Sequence, residues 1–71
     1  MAGKKYILNR VAIAGEMARR YMDIKELSEI TGIHRNTISK AINGKSVNPE
    51  TAKAVATALN LQFEQAVEKV E

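Results

Sequence analysis

The sequence predicts an all-α fold, a compact bundle of about five short helices. Three observations support this prediction. Apolar residues recur at helical spacing in successive segments, and residues that favour helix starts and stops separate those segments. The chain has 71 residues, enough for one small core. The gaps between the segments match the usual helix connections of roughly 2–8 residues. No segment has a pattern strong enough to predict a sheet.

The N-terminal residues carry no helix-start signal. Residues 1–8 contain a glycine and two lysines and are predicted to form a flexible arm, followed by a single domain over residues 9–71. A second interpretation stays open for residues 6–8, Tyr-Ile-Leu. These apolar residues would suit packing on the core or a short strand.

The first helix is predicted from Asn9 to about Arg20. Its apolar face consists of Ile13, Ala14, Met17 and Ala18, which have the spacing of one side of a helix. Gly15 lies in the middle of this helix and costs about 1 kcal/mol relative to alanine. A neighbouring helix that crosses closely at Gly15 would explain the glycine.

Residues 23–45, DIKELSEITGIHRNTISKAINGK, predict two short helices joined by a tight turn. Asp23 and Glu26 have the spacing of a capping box, so the earlier helix should begin at Ile24. Gly32 should end it, because glycine adopts the left-handed conformation at little cost.

The later helix of this pair is predicted from His34 or Arg35 to Asn43, where Asn43-Gly44 is a second stop signal. The side chains predicted to face the core from the two helices and their turn are Ile24, Leu27, Ile30, Ile33, Ile38, Ala41 and Ile42.

The strongest helix start is Asn48-Pro49-Glu50, since asparagine caps, proline suits the first helical position and glutamate favours the positive helix end. This fourth helix should reach Leu59, with Asn60 as its stop. The apolar spacing after Asn60 predicts a fifth, short amphipathic helix built on Leu61, Phe63, Ala66, Val67 and Val70.

Composition narrows the possible functions. The chain has no cysteine and one histidine, which excludes a disulfide framework or a cysteine zinc site and suits a reducing, cytoplasmic compartment. No targeting or membrane-spanning segment is predicted. The sequence offers no nucleophile-base pair, so neither an enzyme nor a bound cofactor or metal is predicted.

The net charge of +3 is unevenly distributed. Residues 1–45 carry nine Lys and Arg against four Asp and Glu, whereas residues 46–71 carry two against four. A basic surface attracts phosphate backbones by releasing counterions, although many solvated helical surfaces carry similar charge. The basic part contains the paired helices of residues 23–45.

Ser28, Gly32, Ile33 and Ile38 carry a resemblance to a known family. Their spacing, continued by Asn43-Gly44-Lys45 and the capped fourth helix, resembles the helix-turn-helix of the lambda-repressor-like (Cro/repressor, XRE-type) family of bacterial and phage DNA-binding domains. The motif also resembles the lactose-repressor-type headpiece, but that motif starts at the first helix, and here a whole helix precedes it. The lambda-like topology is therefore favoured.

Two departures from the family pattern stand out. Many relatives have an ion pair where this chain has Met17 and Ile42, so these two side chains are predicted to touch and to replace the pair with an apolar contact. Relatives also often begin the motif with polar side chains that meet a phosphate. Asp23-Ile24 lacks such a donor, so this contact would depend on backbone N–H groups and Lys25.

The resemblance implies that the second helix of the motif enters the major groove of DNA. The residues predicted to contact bases are Arg35, Asn36, Thr37 and Lys40. Those predicted to contact phosphates are Lys25, His34, Ser39, Lys45 and Asn48. For His34, a cap or phosphate contact is preferred to base contact. The predicted dimer interface consists of Leu61, Phe63, Val67 and Val70.

These assignments predict a sequence-specific DNA-binding transcriptional regulator, a Cro-like repressor of phage or mobile-element type. It is expected to bind double-stranded DNA at an operator as a homodimer, without a membrane. The alternative is a protein-interaction module of the same fold, antirepressor- or antitoxin-like, whose partner would be a repressor or a toxin.

Overall fold

The computed structural model describes residues 4–70. Within that range the elements in chain order are β1 (Tyr6–Leu8), α1 (Arg10–Arg19), α2 (Ile24–Thr31), α3 (Arg35–Ile42), α4 (Pro49–Ala58), α5 (Phe63–Ala66) and β2 (Val67–Val70). The mainly helical class and its five helices are confirmed. No helix of the described residues has the length and hydrophobicity needed to cross a membrane.

Side-chain caps start the first three helices. The Asn9 side chain accepts a hydrogen bond from the Ala12 N–H at 3.1 Å, at the start of α1. The Asp23 carboxylate accepts from the Glu26 N–H at 2.8 Å, so α2 begins at Ile24 as predicted. These bonds satisfy donors that the first turn of a helix leaves unpaired.

Backbone conformation marks the end of α2 and the start of α4. Gly32 ends α2 in the left-handed region, with φ of 74°. Pro49 is the first residue of α4, as its fixed φ favours, and the preceding Asn48 is extended. The Asn48 side chain makes no capping bond to α4. The prediction of a helix start at this point is confirmed, whereas the predicted asparagine cap is not formed by the side chain.

The prediction that no sheet would form was wrong. β1 and β2 pair antiparallel, joining residues near the two ends of the described chain. Tyr6 also exchanges backbone hydrogen bonds of 2.8 Å with Val47 in both directions. Residues 6–8 are therefore a strand, the alternative that the sequence left open, and the predicted arm of residues 1–8 does not extend over them. Residues 1–3 lie outside the described range.

The predicted fifth helix is largely a strand. α5 has only four residues, and the chain becomes extended at Val67, with φ of −102° and ψ of 128°. The carbonyl of Ala66 accepts a hydrogen bond from the Asn9 N–H at 2.7 Å. The chain leaves the helical path at this point because pairing with β1 supplies the backbone partners that a longer helix would have given.

One core lies between the helices and the sheet. Its buried apolar residues are Leu8, Ile13, Met17, Leu27, Ile38, Ala41, Val47, Ala52, Val55, Ala56, Leu59 and Ala66. Ile24, Ile33 and Ile42 are half-buried against it, as expected. Ile30 was predicted to face the core but is 54% exposed. Its position near the end of α2 turns it past the core, towards a groove beside α4.

Two further expectations concern α1. Met17 is buried and Ile42 is half-buried against the same core, so neither side chain lies in solvent; their direct contact stays a prediction. No close helix crossing explains Gly15, because a Cβ added there would meet no atom within 4 Å. Ala14 and Ala18, predicted on the apolar face, are exposed, so the buried stripe of α1 is narrower than its spacing indicated.

Candidate nucleic-acid interface

The turn between α2 and α3 is held by side chains of α2. The Ser28 hydroxyl donates a hydrogen bond to the Ile33 carbonyl. The Thr31 hydroxyl donates to the Leu27 carbonyl at 2.8 Å and accepts from the Ile33 N–H at 3.2 Å. These bonds fix the chain where it reverses direction, so the orientation of α3 relative to α2 is set by more than the glycine at Gly32.

Buried and exposed residues divide α3 into two faces. Ile38 and Ala41 are fully buried and anchor the helix to the core. The opposite face is polar, with exposed Arg35, Asn36 and Lys40. Thr37 and Ser39 are half-buried at its margins. The anchored helix thus presents one guanidinium, one amide and one ammonium to solvent, groups that can bond to base edges or phosphates.

His34 caps α3. Its Nδ1 accepts a hydrogen bond of 3.0 Å from the Asn36 N–H, so Nδ1 carries no proton in this arrangement. The neutral ring then carries its proton on Nε2, and that N–H can donate outward. This geometry agrees with the predicted cap and leaves a donor near the first turn of α3.

A basic cleft lies between β1, α3 and the start of α4. It is lined by Lys5, Thr37, Lys40, Ser46, Val47, Asn48 and Thr51. The two backbone hydrogen bonds between Tyr6 and Val47 hold the neighbouring Lys5 at the wall of this cleft. We call these lining residues the basic cleft. It combines two ammonium groups with the first N–H groups of α4, which favour an anion.

Sequence reasoning gave Lys5 little weight, because it placed this lysine in a flexible arm. The signal that would have identified it is the Tyr-Ile-Leu segment that follows, whose β-forming residues fix the lysine when they pair. The basic cleft also brings together three residues that the sequence singled out separately, Thr37, Lys40 and Asn48.

Comparison with known proteins identifies the family. A family model described as the Cro/C1-type HTH DNA-binding domain matches residues 13–70. The chain belongs to this Cro/C1-type family. In structure it is similar to the crystal structure of the transcriptional regulator VanUg, Form II, with a TM-score of 0.68 and 22% sequence identity over 100% of this chain and 91% of that one. No curated protein matches the chain at a significant level.

In this Cro/C1-type domain, the other residues predicted to contact phosphates lie on or beside α2 and α3. Lys25 is exposed in the first turn of α2, and Lys45 is exposed after the Asn43-Gly44 turn. Half-buried Ser39 is bonded to the end of α3, since the exposed Asn43 side chain donates to the Ser39 carbonyl at 2.8 Å and to its hydroxyl at 3.3 Å. Contact of these residues with DNA phosphates stays a prediction.

Two arginines at the C-terminal end of α1, Arg19 and Arg20, have partners within the domain. Arg19 and Arg20 pair with the Glu16 carboxylate at 2.9 and 3.3 Å, and Arg20 also donates to the Leu59 carbonyl at 3.0 Å. The hydrogen bond from Arg19 contributes most to lowering the pKa of Glu16; burial opposes it, and the hydrogen bond from Arg20 lowers the pKa further. Arg20 therefore joins the ends of α1 and α4.

The predicted dimer residues are partly used inside the domain. Leu61 and Val67 are half-buried against the core. Phe63 is 36% exposed and packs edge-to-face on Tyr6, with ring centroids 5.2 Å apart. Val70 is 52% exposed. Of the four side chains predicted for a dimer interface, Phe63 and Val70 are therefore the ones left exposed.

Proposed function

We propose that this protein is a sequence-specific transcriptional regulator that binds operator DNA as a homodimer, of the repressor kind found in phages and mobile elements. The observation that carries the proposal is the polar face of α3. Ile38 and Ala41 anchor that helix and the turn before it is hydrogen-bonded, so the exposed groups are presented on a rigid element. A rigid helix of this kind suits the major groove.

Direct contact with bases is assigned to four residues of α3. Arg35 offers a planar fork that can donate two bonds to guanine, and Asn36 can bond twice to adenine. Lys40 lies one turn beyond Asn36 and lines the basic cleft, so it is assigned contact with a base or with a phosphate. Thr37, half-buried, is assigned contact with a thymine methyl or with a phosphate.

Phosphate contacts are assigned on both sides of α3. Lys25, His34, Ser39, Lys45 and Asn48 are the candidates from the sequence, and the basic cleft adds Lys5. Asn48 suits this role because its side chain makes no cap bond to α4. Such contacts position the protein on the duplex without reading its sequence. Binding would then act on transcription by occluding a promoter or by contact with polymerase.

A second candidate function is a protein-interaction module, antirepressor- or antitoxin-like. The observation that favours it is a mainly apolar groove beside exposed Ile30, lined also by Thr31, Glu50, Lys53, Ala54, Thr57 and Ala58. Asp23 adds a negative charge where relatives contact phosphate. A protein partner would be a repressor or a toxin on this reading.

Selection of bound sequences from a random DNA pool tests the regulator proposal. The expected result is one enriched motif with two-fold symmetry and half-sites about one helical turn apart. A mobility shift over a salt series is the companion measurement, and affinity should fall steeply as salt rises. Absence of any shift at low salt would overturn the regulator proposal and favour the protein-interaction module.

A further inference from the structure

Arg10, the first residue of α1, carries a charge that the domain does not use. Its side chain is exposed, and within residues 4–70 it has no hydrogen-bond or ion-pair partner. The ion pairs in that range join Glu16 to Arg19 and Arg20. The first turn of a helix is its positive end, which favours anions and disfavours a cation. The charge of Arg10 therefore does not stabilise α1.

The aliphatic stem of Arg10 lies against Gly44, in the turn that follows α3. A Cβ on Gly44 would lie 3.1 Å from the Cδ of Arg10 and 3.8 Å from its Cγ. The shorter distance is closer than ordinary van der Waals contact, so the bare Cα of Gly44 leaves room for the stem. The Lys45 N–H donates to the Lys40 carbonyl at 3.0 Å, which fixes the turn to α3. The guanidinium of Arg10 is thus held beside the end of the helix assigned to the major groove.

A second cation starts from the same turn. Lys45 is exposed and follows Gly44 directly, so their Cα atoms are about 3.8 Å apart. Glu68 lines the groove beside Arg10, but within residues 4–70 neither Arg10 nor Lys45 forms an ion pair. Like charges held close together repel each other, and an anion bound between them removes that repulsion. The turn therefore presents a guanidinium and an ammonium to an external anion.

Arg10 and the basic cleft lie on opposite flanks of α3. Thr37 and Lys40 line the basic cleft, whereas Ile42 lines the groove beside Arg10. At 3.6 residues per turn, Thr37 and Ile42 project on opposite sides of buried Ile38. A helix in the major groove has one sugar-phosphate backbone on each side. The two flanks of α3 therefore face different DNA strands.

We propose that Arg10 contacts a DNA phosphate and that Arg10 and Lys45 together hold the backbone on the flank of α3 opposite the basic cleft. The planar guanidinium can donate two parallel bonds to phosphate oxygens, and the ammonium adds a second charge. The proposal rests on the DNA binding proposed above. It adds a residue from α1, which no local pattern marked, and it gives each strand its own pair of cations.

The salt dependence of binding to a random-sequence duplex tests this role. R10Q removes one phosphate contact, so the salt slope should fall by about 0.9 and the affinity at 0.1 M salt by roughly tenfold. R10K keeps the charge and should restore the slope. R19Q is the matched control, because it removes the same charge from the other end of α1, where Arg19 pairs with Glu16. R19Q should keep the wild-type slope.

Neutral methylphosphonate linkages locate the contact. They are placed one at a time along the duplex enriched by the selection above. Wild-type protein should lose affinity wherever a contacted phosphate is neutralised. In R10Q one of these losses should disappear, and in K45A a loss at the same or the adjacent phosphate should disappear. Disappearance at phosphates on different strands would overturn the pairing of Arg10 with Lys45.

Two comparisons separate this inference from folding and from the proposed function. Thermal unfolding followed by circular dichroism should give R10Q and R19Q folds as intact as the wild type. Wild-type protein that binds DNA while R10Q keeps the full slope, or R10Q and R19Q that lose it equally, would refute the role of Arg10 alone. Wild-type protein that binds no duplex at low salt would refute the regulator proposal together with this inference.

Discussion

At the scale of single residues, Arg35 and Lys45 are both exposed cations, but their positions give them different roles. Arg35 opens α3, whereas Lys45 follows the turn after it. We expect Arg35→Ala to lose about 1–3 kcal/mol of discrimination at one base position. Lys45→Ala should weaken all sequences about equally and reduce the salt slope by about 0.9. Anisotropy titrations with matched and mismatched duplexes measure both; identical behaviour would refute the division of roles.

Lys5 provides a second comparison, with its neighbour as the control. Lys5 lines the basic cleft, and exposed Lys4 does not. Lys5→Ala should lower the salt slope of DNA binding by about 0.9, because one phosphate contact is lost, and should leave base preference unchanged. Lys4→Ala should have a clearly smaller effect. Equal losses would show that the cleft does not distinguish these two lysines.

Glu16 makes a pH-dependent contribution to stability. Hydrogen bonds from Arg19 and Arg20 lower its pKa in the folded protein. A group with a lowered pKa stabilises the fold above its ordinary value, about 4.3 for glutamate, and this contribution is lost as the pH falls through the lowered pKa. Glu16→Gln should therefore reduce the melting temperature near neutral pH and change it little in strong acid. A constant difference across the pH range would contradict the assignment.

At the scale of the elements, two glycines differ in backbone conformation but not in the space around them, so alanine substitution tests the effect of conformation alone. Gly15 lies within α1, and Gly32 ends α2 with φ of 74°; a Cβ at either position would meet no atom within 4 Å. Gly15→Ala should raise the free energy of unfolding by about 1 kcal/mol, since alanine is the better helix former. Gly32→Ala should lower it by about 1–2 kcal/mol, the cost of a left-handed conformation. Urea unfolding measures both changes. If the two substitutions changed the free energy of unfolding in the same direction, this prediction would be contradicted.

Local signals predicted α2 and α3 well, and they failed for α5 and β2. Asp23, Gly32 and His34 act on backbone groups within a few residues. They therefore fix the helix ends independently of how the rest of the chain packs. The apolar residues after Asn60 have helical spacing, but Val67 and Val70 pair with residues near the other end of the chain. Short apolar runs do not distinguish a helix from a strand when the partner is distant in sequence.

At the scale of the whole molecule, β1 and β2 join the two ends of the described chain and complete the core. Leu8 is fully buried. Leu8→Ala should lower the free energy of unfolding by about 2–5 kcal/mol, as large-to-small core substitutions do. Ile7→Ala, at a half-buried position on the other face, should cost clearly less. Chemical unfolding decides between this strand and a flexible arm, in which neither substitution would matter.

The sequence by itself determined the helical class, the helix-turn-helix and the polar face of α3. Those features depend on capping residues, glycine and apolar spacing within about ten residues of each other. Only the tertiary structure decided that residues 6–8 form a strand with residues 67–70, that Lys5 joins the basic cleft and that Ile30 is exposed. Each of these depends on segments far apart in the chain, whose pairing follows from the whole core and from no local pattern.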